Sequence, residues 1–353
     1  MIIRALRYSY VQAKTRALKG KLLSPEDWRY LLKMRSLESI LTYLSGTRYA
    51  EALDLHAGKK PDVRTVSHAF HAELFREYTL LAMSMGRRGT RFLTSLLARY
   101  DADNLKTILR GIVRGAPSSE IRLHLYNPGP LSSFPVVELL QVSQVPAALD
   151  VLHGTIFHGP VANALPHFNA ARSLFPVEMA IDRAAMEHMT EAVQSLRVMD
   201  RQTVRGLVGE FIDFLNLSWL VRLIHIYGLS PEETINYMLS GGLRLALQDL
   251  GNLARSADLV ALAGNLPVEY SQVLESADHW PDVERLLKRR FISRLHGPFS
   301  RSPFQLGLQV AYLFMKETEI EALVSLTSAV HMGMEDEKVS KLVSPPVREV
   351  AGV

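Results

Sequence analysis

A polar cassette is written twice in this chain, once from Asp101 and again from Asp213. Asp101 to Arg110 reads D-A-D-N-L-K-T-I-L-R, and Asp213 to Arg222 reads D-F-L-N-L-S-W-L-V-R. Both keep the Asp, an Asn three residues on, the Leu after it, two apolar residues near the end and a closing Arg. On a helix, Asp101, Asn104, Leu105 and Ile108 share a face with Leu97, so the carboxylate sits inside an apolar stripe. Asp213 and Asn216 stand in a segment that is apolar almost all round, which implies burial on every side. A buried charge must be paired or hydrogen-bonded, because leaving it bare costs several kcal/mol. Any fold for this chain must therefore supply polar partners to the same helix position more than once.

A second motif runs in step with the first. Leu23-Ser24-Pro25-Glu26-Asp27 and Leu229-Ser230-Pro231-Glu232-Glu233 each place Ser at an N-cap, Pro at the first helical position and acids in the first turn. Both have an acid three after the Ser, but only the second has the Glu of a capping box. Leu131-Ser132-Ser133-Phe134-Pro135 stands between them as a weaker version. The interval from Ser24 to Asn104 nearly equals the interval from Ser132 to Asn216. A third cassette is then expected near residue 322. There Glu319 falls where Asp101 and Asp213 stand, Ala322 replaces the Asn, Leu323 keeps the Leu and Ser328 replaces the Arg.

The spacing between copies is too long for a simple solenoid, whose repeats run to about 20–50 residues. It fits tandem copies of one helical bundle, related by rotation about a pseudo-threefold axis as a ring, funnel or cup. The expected boundaries are 1–118, 119–227 and 228–342, with a C-terminal tail at 343–353. The hydrophobic period is helical nearly everywhere: in Arg91 to Arg110, Leu93, Leu96, Leu97, Tyr100, Leu105 and Ile108 recur at spacings of three and four. Alternating strand patterns bounded by hairpin turns are hard to find, so the fold class is all-α.

Composition removes several function classes. The chain has 353 residues and is 48% hydrophobic and 22% charged, which excludes wholesale disorder. It has no Cys, hence no disulfide framework, no cysteine zinc site and no thiol catalysis, and a reducing, cytosolic setting is expected. No secretory signal pattern follows Met1. The most apolar segment, Phe211 to Leu229, carries Asp213, Asn216, Arg222 and His225, so no membrane span is expected. Of the net charge of +4, the stretch 1–60 holds 12 Lys/Arg against 5 acids, leaving the remainder slightly acidic. That basic end could face nucleic acid, lipid headgroups or an acidic protein surface, or be a solvated helix face.

The common signatures of catalysis are missing: no G-x-x-x-x-G-K-[ST], no G-x-G-x-x-G, no G-x-S-x-G and no H-E-x-x-H occurs. No cofactor and no small-molecule substrate are expected. His68 and His71 share a helix face at metal-ligand spacing, but nothing nearby completes a four-ligand site, and His153 and His158 read as loop residues. The repeated acids then have two readings. They are proton or cation sites, or they anchor each bundle to an Arg, a helix N-terminus or a neighbouring copy. A catalytic site would hardly be needed three times with its Asn lost once, which favours the structural reading. Arg110 and Arg222, roughly opposite their own Asp around the helix, suit an adjacent helix or repeat as partner.

With the repeat established, the chain resembles the C subunit of the rotary V/A-type ATPases, known as the d subunit in the eukaryotic enzyme. The likeness lies in Tyr8-Ser9-Tyr10-Val11-Gln12-Ala13-Lys14-Thr15-Arg16-Ala17-Leu18, Leu22-Leu23 and Leu44-x-x-Thr47-x-Tyr49. It continues in Asp101-x-x-Asn104-Leu105-Lys106-x-Ile108-Leu109-Arg110, then Pro298-Phe299, Pro303-Phe304-x-x-Gly307 and Ala311-Tyr312-Leu313-Phe314-x-Lys316-Glu317-x-Glu319-Ile320, ending at Gly333-Met334 and Glu337. The order is right over residues 8 to 342. The chain departs from the family's Asn and Arg at Ala322 and Val324, and the tail from Val343, with Pro345-Pro346, has no counterpart.

The resemblance implies a non-catalytic rotor part at the cytoplasmic face of a membrane. Three similar helical domains form a funnel that sits on the proteolipid ring, receives the central-shaft subunits and passes torque between proton or sodium flow and ATP synthesis or hydrolysis. Nucleic acid is not a partner on this reading; the alternative is a soluble helical scaffold or nucleic-acid-binding module using the basic end, which lacks a recognisable recognition motif. Within the rotor reading, Arg4 and Arg7 are possible contacts to anionic headgroups or acidic ring loops. Charge reversal at both is expected to flatten the salt dependence of ring association, measured as retention on the ring across a salt series; an unchanged slope removes that contact.

Overall fold

The computed structural model describes the backbone of residues 2–54, 62–171, 173–300 and 305–347, and the side chains of these residues apart from 2–7 and 169–171. Among the described residues no strand occurs and every regular element is helical. In chain order the α-helices are α1 (Ile2–Lys19), α2 (Pro25–Leu31), α3 (Leu37–Leu44), α4 (Ala50–Asp54), α5 (Val63–Met83), α6 (Arg87–Arg114), α7 (Ser118–Arg122), α8 (Val136–Leu139), α9 (Ala148–Leu152) and α10 (His158–Ala171). They continue as α11 (Phe175–Gln194), α12 (Val198–Val221), α13 (Pro231–Ile235), α14 (Leu247–Leu253), α15 (Leu259–Asn265), α16 (Val268–Leu274), α17 (Trp280–Leu295), α18 (Gly307–His331) and α19 (Asp336–Leu342). Long helices thus alternate with runs of helices of one or two turns.

The termini follow local chemistry. Ser24 and Ser230 cap α2 and α13, each with a Pro behind it, and both capping boxes close: the carboxylates of Asp27 and Glu233 accept from the cap amides. An Asp at the third position therefore serves as well as the Glu the motif calls for. Ser132 departs from expectation, because it caps no helix; α8 is preceded by Pro135, and the Ser132 hydroxyl points elsewhere. Gly115 ends α6 in the left-handed region at φ 67°, where a side chain would be strained.

The chain divides into two compact units, residues 86–196 and residues 1–85 with 197–353. In the first, α6 packs along α11, and α7 to α10 fill the connection between them. Leu105, Ile108 and Leu109 of α6 meet Val177, Ile181 and Ala185 of α11, with Leu139, Leu152, Phe157 and Val161 closing the core. In the second unit, α12 packs along α17, while α18 packs along α5 and also touches α1, α12 and α17. Phe211, Phe214, Phe291 and Phe314 join α12, α17 and α18 in one aromatic cluster, with ring centroids 5.0–6.3 Å apart.

Helix α18 is the centre of that unit. Every residue from Gly307 to Ile320 is buried, so this stretch has no solvent side. Gly307 is needed there: a Cβ would stand 2.1 Å from the Thr203 methyl. Gln309, Lys316, Glu317, Thr318 and Glu319 lie in the buried stretch and must find partners inside the protein.

Candidate functional site

The carboxylates of Asp101 and Asp213 each face a segment that follows in their own unit. On α12 the Asp213 carboxylate accepts from the backbone amides of Leu243 (3.2 Å), Arg244 (2.8 Å) and Leu245 (3.3 Å), and from the Tyr270 hydroxyl (2.8 Å). One turn on, Asn216 grips a single peptide position from both sides: its amide donates to Leu239 O at 2.9 Å and its oxygen accepts from Leu239 N at 2.8 Å. Both side chains are fully buried. Gly242 lets this loop come so near, since a Cβ would lie 2.1 Å from the Asp213 Oδ1.

The same device recurs on α6. Asn104 donates to Tyr126 O at 2.9 Å and accepts from Tyr126 N at 2.7 Å, while Asp101 accepts from the Ser132 hydroxyl at 2.8 Å. The closing arginines of both cassettes reach the neighbouring long helix. Arg110 binds Glu178 of α11 through two bonds of 2.6 Å, and Arg222 binds Glu284 of α17 at 2.6 Å. These pairs are partly exposed and contribute less than the buried clamps.

The third carboxylate takes its donors from the other end of the chain. Glu319 of α18 accepts from Leu23 N (2.7 Å), from the Tyr49 hydroxyl (2.6 Å) and from Lys316 Nζ (3.1 Å). The interval from Leu23 to Tyr49 equals the interval from Arg244 to Tyr270, so an amide and a tyrosine at one spacing serve both acids. Ser24 and Ser132 stand at or beside the residues that donate to the acids. Ser230 does not: it caps α13, and Leu243 to Leu245 take that place. The Ser motifs thus stand beside acids other than those of the cassettes they precede, Ser24 beside the donor to Glu319 and Ser132 on Asp101, and a Ser-Pro cap such as that of Ser230 is a local signal that any helix start can use.

Around Glu319 lies a network that sequence reasoning did not single out as a site. Arg48 pairs with Glu73 at 3.1 Å and with Glu77, and donates to the Tyr312 hydroxyl at 3.1 Å; Tyr312 in turn donates to Glu77. Lys316 donates to the Tyr49 hydroxyl, and Tyr78 donates to Glu317 at 2.6 Å. Burial pulls the Lys316 ammonium down to about 8, against the opposing pull of Glu319. On α12, Glu210 is held by Arg290 and, at 3.2 Å, by Arg294, and burial raises Asp213 against the bonds from Tyr270 and the amides. Tyr49, Tyr312, Lys316 and Glu317 had a signal, since all four stand in the segments that carry the resemblance to the rotary ATPases. Glu73 and Glu77 had none beyond sharing the buried face of α5.

Among the described residues no group of three His, Asp or Glu side chains could hold a metal ion. His71 Nδ1 lies 2.8 Å from Ser67 O, a local helix bond; His153 and His158 stack edge to face at 5.3 Å, and of the two only His153 lies in the connection, since His158 begins α10. The side chains of Arg4 and Arg7 lie outside the described residues.

The ATP synthase (C/AC39) subunit family matches residues 11–342 of this chain. The chain belongs to that family. It is 29% identical over 348 residues to the C subunit of the A-type ATP synthase of Halobacterium salinarum, covering 95% of this chain and 97% of that protein. To the corresponding A-type protein of Haloferax volcanii it is 25% identical over 342 residues, covering 94% and 95%. To that of Methanocaldococcus jannaschii it is 23% identical over 354 residues, covering 97% and 88%. The family match takes in all three carboxylates, the Asn clamps, Arg48 and Lys316.

What this arrangement does chemically is hold helices. The acids of α12 and α18 are saturated by donors with no open coordination position, and each fixes another segment to its long helix. Truncating Asp213 to Ala leaves the Arg244 and Leu245 amides without their acceptor, and the Leu243 amide and Tyr270 hydroxyl with only Gly209 O and the Glu210 carboxylate, at a cost of about 3–5 kcal/mol. The Asp213→Ala chain is expected to melt well below the parent and to assemble poorly, by calorimetry and by recovery of the complex. Full stability with selective loss of ion transport would reverse the conclusion and make Asp213 a proton-handling group. Asn216→Ala is expected to cost about 1–3 kcal/mol, by chemical denaturation, because Leu239 N–H and C=O lose their partners together.

Proposed function

We propose that this chain is the C subunit of an A-type rotary ATP synthase, acting as the non-catalytic adaptor between the central shaft and the membrane proteolipid ring. The observation that carries this reading is the match to the family along residues 11–342, continuous with near-full-length similarity to proteins named as that component of A-type ATP synthases. Such an adaptor transmits torque between ion flow, of protons or sodium, and ATP synthesis or hydrolysis on other subunits. It sits at the cytoplasmic face as a peripheral part, in keeping with the finding that no described helix is long and apolar enough to cross a membrane.

Torque transmission asks for stiffness. Close helix packing resists compression, and a polar clamp with one satisfying geometry stops apolar helices from sliding past one another. The clamps of Asp101 with Asn104, of Asp213 with Asn216, and of Glu319 supply such stops, and Arg110 and Arg222 add ties between long helices. On this reading the chain is three related helical repeats, at 1–118, 119–227 and 228–342, arranged as a funnel, with 343–353 a tail.

The test is a pull-down with the tagged chain from detergent-solubilised membranes. Copurification of shaft subunits together with the proteolipid ring is expected. Recovery of the chain alone under every extraction condition would overturn the assignment, and recovery with soluble ATP-hydrolysing subunits but never with the ring would overturn the adaptor role.

A further inference from the structure

Two helices of the larger unit begin near one another, because the Tyr8 hydroxyl of α1 donates at 2.8 Å to Asp200 in the first turn of α12. Both starts are built against the helix dipole, whose positive end favours acids and a Ser, Thr, Asp or Asn cap. The first turn of α1 has no acid, and Arg4 and Arg7 follow in its sequence. Arg197 occupies the N-cap of α12 and makes no cap bond, with Arg201 and Arg205 behind it at four-residue steps along one face. The acid of that turn, Asp200, is buried and accepts from Tyr8 and from Leu306 N.

The surface left outside is therefore basic. Arg197 and Arg205 are exposed, Arg201 is half-buried, and among the described residues none of the three is paired with an acid. Glu210, further along α12, is buried and held by Arg290 and Arg294 of α17, so it adds no negative charge there. Val198 and Met199, 62% and 60% exposed, stand among the arginines. Arg197-Val198-Met199 thus sets bare apolar side chains beside guanidinium groups, as Ile2-Ile3-Arg4 does in the sequence of α1. The start of α6, in the other unit, repeats the opposition to the dipole with Arg87, Arg88 and Arg91, all exposed.

We propose that the start of α12, centred on Arg197, Arg201 and Arg205 with Val198 and Met199, is a footing on an anionic lipid surface. Arginines that cost the helix stability where they stand are balanced by an anion from outside, and phosphodiester headgroups supply a field of anions. Apolar side chains between them suit the boundary of headgroups and acyl chains, where they leave water while the guanidinium groups stay among phosphates. Nucleic acid would match the charge but offer Val198 and Met199 no apolar phase, and an acidic protein would have to carry a matching apolar patch of its own. The inference deepens the peripheral placement proposed above and rests on that reading for the presence of a membrane.

Flotation of the purified full chain with vesicles tests it, comparing phosphatidylcholine alone with phosphatidylcholine carrying about a third phosphatidylglycerol, across a salt series. The parent is expected to bind the anionic vesicles at least about tenfold more tightly than the neutral ones and to lose that margin as salt rises. Arg197→Gln, Arg201→Gln and Arg205→Gln together are expected to weaken binding by about 100-fold and to flatten the salt dependence, since each guanidinium near such a surface contributes about fivefold. Val198→Ser with Met199→Ser is expected to weaken it about tenfold at an unchanged salt slope. Lys33→Gln, Arg114→Gln and Arg122→Gln, which remove the same charge at exposed sites elsewhere, are expected to change it by no more than about threefold.

Equal affinity for the two kinds of vesicle, no loss in the α12 arginine variant, or an equal loss in the control variant overturns the footing. Tighter retention on duplex DNA or on polyglutamate than on the anionic vesicles also overturns it, giving the surface to a nucleic acid or an acidic protein. Failure here while shaft and ring still copurify leaves the adaptor reading standing; vesicle binding without copurification strikes that reading and keeps the footing.

Discussion

A carboxylate placed inside an apolar helix face is the constraint on which the rest of this molecule hangs. Water is denied to it, and an ionised group without partners costs more than most single contacts in a domain return. The long helices α12 and α18 each carry one, so each must be met by backbone amides, hydroxyls or cations from another segment at about 3 Å, and α6 carries a half-buried counterpart in Asp101. Apolar packing alone tolerates sliding by a fraction of a turn; a carboxylate shared between two or three amides does not, because the bonds weaken steeply off axis. Short helices that would be marginal in isolation are thereby given a fixed seat.

The third instance has a consequence for the whole larger unit. Glu319 binds Leu23 and Tyr49, and the network beyond it joins Arg48, Glu73, Glu77 and Tyr312, so the N-terminal segments through α5 and the last long helix complete one buried polar cluster. The α1 helix adds to this closure, with the Tyr8 hydroxyl donating to buried Asp200 at 2.8 Å and Arg16 donating to Phe299 O at 3.1 Å. Asp200 in turn accepts from Leu306 N at 3.0 Å, just before α18 begins. An early segment that is a neighbour of α18 in space cannot fold to its final contacts until the chain around Glu319 exists, so these contacts close late and at very large sequence separations.

Much of this was legible in the sequence, for a definable reason. The helical class shows because a period of three to four persists along nearly every long segment, as in Leu93 to Ile108. The Asp and Asn of the cassettes stand out because polar groups inside an apolar stripe break that period. What did not show were the donors. Tyr126 and Leu239 act through their peptide groups, which any residue would provide, and Leu243 to Leu245 likewise; side-chain identity carries no trace of them. Arg48 and Glu77 meet Tyr312 across sequence separations of 264 and 235, at which no spacing rule operates. Ser132 illustrates the opposite failure, since it looks like a helix cap and spends its hydroxyl on Asp101 instead.

The carboxylates of the three long helices differ in their donors while the acceptor chemistry is the same. At α12 the loop supplies three amides and Gly242 permits the approach; at α18 a lysine and a tyrosine share the load; at α6 a single hydroxyl remains. The Asn follows a different course, retained on α6 and α12 and replaced by Ala322 on α18. On α18 the Arg48 guanidinium reaches into the same region, donating to Leu18 O at 3.4 Å as well as pairing with Glu73 and Glu77. Loss of a neutral two-point clamp is thus tolerated where a charged network holds the same helices. The converse holds on α6, where the neutral Asn104 clamp to Tyr126 is present beside a half-buried Asp101 that takes its one protein hydrogen bond, among the described residues, from the Ser132 hydroxyl.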